Sequence, residues 1–336
     1  MLQAFLVKPG LIELREVKIP HPITGEVLIK VCAALTCGTD LKAYLRGHPM
    51  IPMPGPFGHE FSGIIAEKGK GVRGFKEGDE IMAVHSAPCM GCPYCKKGLY
   101  NLCENIMNTK VLGAYSEYLI LPSHIVKMNL YHKPEGLSFE EAAFLEPLSC
   151  VVHAISSLRC KLGDTALIIG AGPIGLLHLL LLKKMGLRVI ITARRKEKLG
   201  LAKKIGADLT VESNRLNEAV RDLTKGLGVD IAIECTGQLE VWRASINYVR
   251  RGGTVILFGG VKSGTEVCYD THRLHYDEIS IKGVFHFTPD DVKRATEILG
   301  RIKASRLITG RFSLSEITSV FERLSRGEGL KYAIIP

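Results

Sequence analysis

Hydrophobic positions follow two different rhythms along the chain. In the first third they come in short runs that alternate or are rich in β-branched residues. Residues 2–7, 11–17 and 26–33 read as strands separated by Pro-Gly and Pro-His-Pro turns, and residues 61–67 and 80–84 continue the pattern between glycines. Near residue 150 the rhythm changes. Apolar strand-like runs at 165–169, 188–192, 229–234, 254–258 and 279–282 alternate with helical patterns at 174–185, 195–205, about 216–224 and 239–249. Strands alternating with helices predict a doubly wound parallel sheet covered on both faces. Beyond residue 285 lie two amphipathic helices, near 289–302 and 314–324, and a short terminal strand. The predicted organisation is α/β in two domains. A β-rich domain spans 1–149, a parallel-sheet domain spans 150–284, and 285–336 returns to the first domain.

The length of 336 residues supports two cores rather than one. No apolar run reaches the roughly 18 residues of a membrane span; the longest, Ile174 to Leu182, contains His178 and stops at two lysines. The first residues carry no basic flank or long apolar region, so no secretory signal is expected and a cytoplasmic location is. The net charge of +10 raises nucleic acid as a partner. The basic residues are mostly scattered, however, and no recognisable nucleic-acid module is present. They concentrate only from Arg188 to Lys204, where seven basic residues face one acidic residue.

That cluster adjoins a glycine motif. Gly170-Ala171-Gly172-Pro173-Ile174-Gly175 follows a predicted strand and opens a predicted helix. In that context the glycines allow a tight turn, close approach to a pyrophosphate, and close helix packing, with helix N–H groups facing the phosphates. About 20 residues on, an NAD-binding site would carry an acid for the ribose hydroxyls. Here Ala193 stands in that place and Arg194 and Arg195 follow. Guanidinium groups suit a 2′-phosphate. NADP(H) is therefore the preferred cofactor and NAD(H) the alternative.

Ten cysteines are present, four of them clustered as Cys89-x2-Cys92-x2-Cys95-x7-Cys103. Four thiolates at this spacing, within a lobe of about 86–106, suit a tetrahedral zinc with no open position, hence a structural one. An iron–sulfur cluster is the rival occupant. A second candidate set is dispersed: Cys37 in Cys-Gly-Thr-Asp, His59-Glu60 in Gly-His-Glu, and Glu146 in Glu-Pro-Leu. Each has a plain alternative as a packed thiol, a loop histidine or a helix-terminal charge, and spacing alone does not join them.

Gly58-His59-Glu60 with Gly63 and Gly69, the four-cysteine spacing, Glu146-Pro147-Leu148 followed by His153, and the glycine motif with Glu234-Cys235-Thr236-Gly237 resemble the zinc-containing medium-chain alcohol dehydrogenases, on their sorbitol, polyol and threonine dehydrogenase branch. The resemblance runs along essentially the whole chain. It implies a chaperonin-10-like catalytic domain joined to a Rossmann domain, and two zinc ions per chain. It implies that Cys37, His59 and either Glu60 or Glu146 hold the catalytic zinc. Thr39 would pass the substrate proton, with Glu60 and Glu146 also in catalytic roles. Lys42 stands where the family often has a histidine, so His48 or a water chain would have to complete the relay. Ile174, Lys198, Gly259, Gly260 and Phe285 would line the cofactor. The implied activity is hydride transfer between NADP(H) and a secondary alcohol, polyol or matching ketone. An NAD-linked L-threonine 3-dehydrogenase is the runner-up, and a non-catalytic cofactor-binding structural or sensor protein is the alternative of another class. A homo-oligomer, tetramer or dimer, is expected, with no nucleic-acid or membrane partner.

Overall fold

The computed structural model describes Met1–Pro336. The chain opens with β1 (Leu2–Lys8), β2 (Leu11–Glu16), β3 (Val27–Leu35), α1 (Gly38–Arg46), β4 (Gly55–Pro56), β5 (Glu60–Lys68) and β6 (Glu80–Val84). Shorter elements follow: α2 (Pro93–Lys96), β7 (Tyr118–Leu121), α3 (Ser123–Asn129), β8 (Leu130–His132), α4 (Phe139–Ala142) and the longer α5 (Leu145–Ser156). Strands and helices then alternate through β9 (Thr165–Ile169), α6 (Pro173–Lys184), β10 (Arg188–Ala193), α7 (Lys196–Ile205), β11 (Leu209–Glu212), α8 (Leu216–Leu223), β12 (Val229–Glu234), α9 (Leu239–Ser245), β13 (Val249–Leu257), α10 (Thr271–Tyr276) and β14 (Ser280–Gly283). The chain closes with α11 (Pro289–Ile302), β15 (Ile308–Ser313), α12 (Ile317–Ser325) and β16 (Lys331–Ile335).

Two compact units result, one of Met1–Val152 with His286–Pro336 and one of His153–Phe285. The boundary after Val152 falls inside α5. Phe285 is the last residue of the second unit.

The first unit is the β-rich one. A three-stranded sheet runs β2-β1-β4, and a larger one runs β15-β16-β3-β5-β6-β8 with β7 paired to β3. β3 is buried along most of its length, because strands pair with it on both edges and the inward residues Val27, Ile29 and Val31 join a core with Phe57, Phe61, Tyr115 and Phe321. Burial of such side chains contributes about 1.5–3 kcal/mol each.

The second unit is a Rossmann-type sheet in the order β11-β10-β9-β12-β13-β14, with every pairing parallel. Its central strands are mainly apolar, as burial on two faces requires, with Asp230 and Glu234 of β12 the acidic exceptions. The helix expected over 239–249 is shorter. α9 stops at Ser245, and Val249 is drawn into β13 by parallel pairing with Val229 of β12. Several elements lie where no pattern was read, among them α1, α5, β11 and β15.

Candidate active site and cofactor cleft

Sheet register assembles the first cluster. Leu35, the last residue of β3, pairs with Glu60, the first of β5. Cys37 lies two residues past the end of one strand and His59 one residue before the other, so the two ends meet. Gly58 makes the entry to β5 possible. Its φ of +89° favours glycine, and a Cβ there would lie 2.7 Å from the Tyr115 ring. One ligand atom each of Cys37, His59 and Glu60 lies within 4.8 Å of the others. Cys37 caps α1, its Sγ accepting from the Thr39 N–H at 3.4 Å. Thr39 is thus beside this cluster, on the first turn of α1.

Charge is taken out of water here and held by its neighbours. Asp40 is fully buried, its Oδ1 3.2 Å from His59 Nδ1, and its Oδ2 accepts from the Tyr115 hydroxyl at 2.8 Å. That contact fixes the imidazole and leaves Nε2 for a ligand. Burial works against a charged His59, yet Asp40 and Cys37 outweigh it and hold its pKa well above the usual histidine value. Glu60 is 2.5 Å from Lys331 Nζ, and both are buried. Lys331 also donates to the Thr36 carbonyl at 2.7 Å. Burial raises the Glu60 carboxyl above the ordinary range despite the opposing effects of Lys331 and His59. A soft thiol, an imidazole and a carboxylate that together stabilise a proton are a donor set that fits a zinc cation.

Glu146 is set apart from this triad. It is buried on α5, 3.5 Å from His85 Nδ1 and 3.8 Å from the Cys150 thiol one turn along. Burial, with Glu60 adding to it and His59 opposing, raises its carboxyl to about 7. His85 is buried with Nδ1 lacking a hydrogen bond, and burial, then His59 and His286, hold its pKa well below the usual value. His48 accepts from the Met50 N–H and is half-buried beyond α1, with burial followed by Lys42 lowering its pKa. Sequence reading did not single out Asp40, His85, Tyr115, Cys150 or Lys331. Only Asp40 carried a signal, as an acid in the first turn of a helix opened by Cys37.

The second cluster is local. Cys89, Cys92, Cys95 and Cys103 bring their sulfurs within 4.8 Å of one another. The one-turn helix α2 does this: Cys92 caps it and accepts from the Cys95 N–H, while the Cys89 and Asn105 N–H groups donate to Cys103 Sγ. N–H donors at sulfur favour thiolates. Cys89 is lowered to about 6, first by the Gly91 N–H, while burial pushes Cys95 up to about 12. None of the ten cysteines is in a disulfide.

In the second unit, β9 ends at Ile169, Gly170 follows it, and α6 begins at Pro173. Gly175 packs so closely that a Cβ would lie 1.9 Å from the Gly170 carbonyl oxygen. A cleft of about 550 Å³ opens here. Of the residues named from sequence, Gly170, Gly172, Ala193, Arg194, Arg195 and Lys198 line it. Pro173, Ile174, Gly175, Gly259, Gly260 and Phe285 do not; Gly259 instead accepts from the Trp242 indole N–H through its carbonyl. Ser213, Gln238 and Glu240 join the lining and were not named from sequence. Lys198 is lowered by burial and then by Arg195 and Arg194, so three crowded cations face the cleft, an arrangement that an anion relieves.

No helix is long and apolar enough to cross a membrane. The alcohol dehydrogenase GroES-like domain model matches residues 23–130, and the zinc-binding dehydrogenase model matches residues 173–301. The sorbitol dehydrogenase of Halalkalibacterium halodurans is 32% identical over 94% of this chain and 94% of its own length. The L-threonine 3-dehydrogenase of Marinomonas sp. is 31% identical, also over 94% of each chain. A protein of Sinorhizobium meliloti 1021, described as a zinc-binding dehydrogenase and solved bound to NADP, is 32% identical with a TM-score of 0.90, covering 100% of this chain and 99% of the other. The chain belongs to the zinc-dependent medium-chain alcohol and polyol dehydrogenase family.

Proposed function

We propose that the chain transfers hydride between a secondary alcohol or polyol, or the matching ketone, and NADP(H). Residues 1–149 and 285–336 form the catalytic domain of this reading, and 150–284 the dinucleotide-binding domain. The observation that carries it is the cleft edge at the end of β10, where Ala193 replaces an acid and Arg194, Arg195 and Lys198 gather. A 2′-phosphate would be matched by guanidinium groups there through charge-assisted hydrogen bonds. Cys37, His59 and Glu60 or Glu146 would hold a catalytic zinc, and the four-cysteine lobe a structural one. The catalytic zinc, when bound, supplies Lewis-acid polarisation of the substrate oxygen. Asp40 holds His59 in the tautomer that leaves Nε2 for a ligand. Lys331 keeps Glu60 from carrying an unbalanced charge. The Thr39 hydroxyl, on the first turn after Cys37, takes the substrate proton toward water.

Calorimetric titration of the zinc-replete protein with NADPH and NADH tests this reading. NADPH is expected to bind at least about tenfold tighter, a difference of about 1.4 kcal/mol, with Arg194→Ala removing most of it. Equal or tighter binding of NADH makes the arginines surface charges and moves the chain toward the NAD-linked polyol and threonine dehydrogenases. A panel of sorbitol, other polyols, 2,3-butanediol and L-threonine with the better cofactor then separates the substrate classes.

A further inference from the structure

Gln238 lies one position before α9, and its side-chain amide stands between two charged groups of the cofactor cleft. In the orientation that satisfies both neighbours, the amide nitrogen donates to Glu240 Oε1 at 3.1 Å and the amide oxygen accepts from Arg194 Nη2 at 3.3 Å. All three residues line the cleft. Arg194 comes from the turn after β10, and the other two from the start of α9.

The arrangement differs from a salt bridge in a way that matters for an anion. A carboxylate paired directly with Arg194 would cancel its charge and compete with any phosphate. A neutral amide in between fixes the guanidinium while leaving its charge and its other N–H donors available. Glu240 in turn fixes which way the amide faces, because only a donor end suits the carboxylate and only an acceptor end suits the guanidinium. An unrestrained arginine on the rim of a cleft would lose its rotamer freedom on gripping a ligand, a cost that weakens binding. A tether in place beforehand removes part of that cost.

We propose that Gln238, anchored by Glu240, is the positioning residue that presets Arg194 for the 2′-phosphate of NADP(H) and so sets cofactor discrimination. The inference rests on the NADP(H) reading above. Affinities of the zinc-loaded protein for NADPH, NADH and the fragment 2′,5′-ADP test it. Gln238→Ala is expected to weaken NADPH and 2′,5′-ADP by about threefold to tenfold, the range that rotamer preorganisation provides, and to leave NADH unchanged. A residue that merely supported the fold would weaken all three together. Glu240→Gln and Glu240→Ala form a second test, because they remove the same charge and differ in whether the amide keeps its anchor. 2′,5′-ADP should bind the alanine variant about threefold more weakly than the glutamine variant. The proposal is overturned if Gln238→Ala binds NADPH as the parent does while Arg194→Ala does not, or if the two Glu240 variants are equal. A parent protein without preference for NADPH overturns the cofactor reading itself, which is a separate result.

Discussion

Buried polar side chains divide unequally between the two units. The first buries Asp40, His59, Glu60, His85, Glu146 and Lys331, most of them in contact with one another, while the second buries His178, Thr192, Glu234 and Ser245, of which only Glu234 is acidic and none is a lysine or arginine. In the first unit the candidate chemistry is made of charges removed from water and balanced against each other. In the second it is made of backbone geometry, with the cations left at the surface of the cleft. The first should therefore fail when a charge loses its partner, and the second when the backbone is denied its path.

The largest effect is expected from Gly175→Ala. Its Cβ would overlap the Gly170 carbonyl oxygen at 1.9 Å, backbone against backbone, so the second unit should lose more than about 5 kcal/mol of stability in chemical denaturation. Gly172→Ala meets nothing within 4 Å and should change stability by less than about 0.5 kcal/mol. Similar costs for the two would end the argument that helix packing sets the geometry of this motif.

Lys331→Met comes next. It leaves Glu60 buried without its cation, which should cost about 3–5 kcal/mol, and adding Glu60→Gln should restore most of the loss. A cost under about 1 kcal/mol would mean that another cation balances Glu60.

His178 offers the matching test in the second unit. It donates from Nδ1 to the Ile174 carbonyl, leaving Nε2 buried without a partner, and burial lowers its pKa from 6.5 to about 4. The unfolded chain therefore takes up the proton first. Stability from this residue is present above pH 6.5 and is lost as pH falls through about 4, a total of about 3 kcal/mol. Equilibrium unfolding at stepped pH should show this slope, and His178→Leu should flatten it. An unchanged slope in the variant would assign the acid sensitivity to the buried charges of the first unit.

The smallest of the four effects is on turnover. Cys37→Ser should cost about a hundredfold, the upper end of what even outer-sphere partners of a metal site are worth. One zinc equivalent should be lost and the lobe's retained, by elemental analysis. Loss of the lobe's metal instead would exchange the roles of the two clusters.

The contrast also shows what was legible before folding. The glycine motif and the four-cysteine lobe could be read because each is local. The turn after β9 and the loop from Cys89 to Cys103 contain their own geometry, and spacing reports it. The alternation of strands and helices was likewise readable, because a sheet covered on both faces demands mainly apolar strands. Glu240 and Gln238 were not readable as part of the cofactor cleft, since the Glu234–Gly237 motif before them does not report which side chains meet Arg194 across the sheet.

The sequence by itself determined the two-domain class, the family, the Rossmann motif and the composition of the thiol lobe, all of which depend on periodicity or short spacing. Tertiary structure decided which distant residues meet. The pairing of Leu35 with Glu60 joined Cys37 to His59, the return of β16 delivered Lys331 from the far end of the chain, and α5 placed Glu146 against His85 rather than within the triad. Strand register is a property of the assembled sheet, and a buried charge is tolerated only where its partner has already been brought.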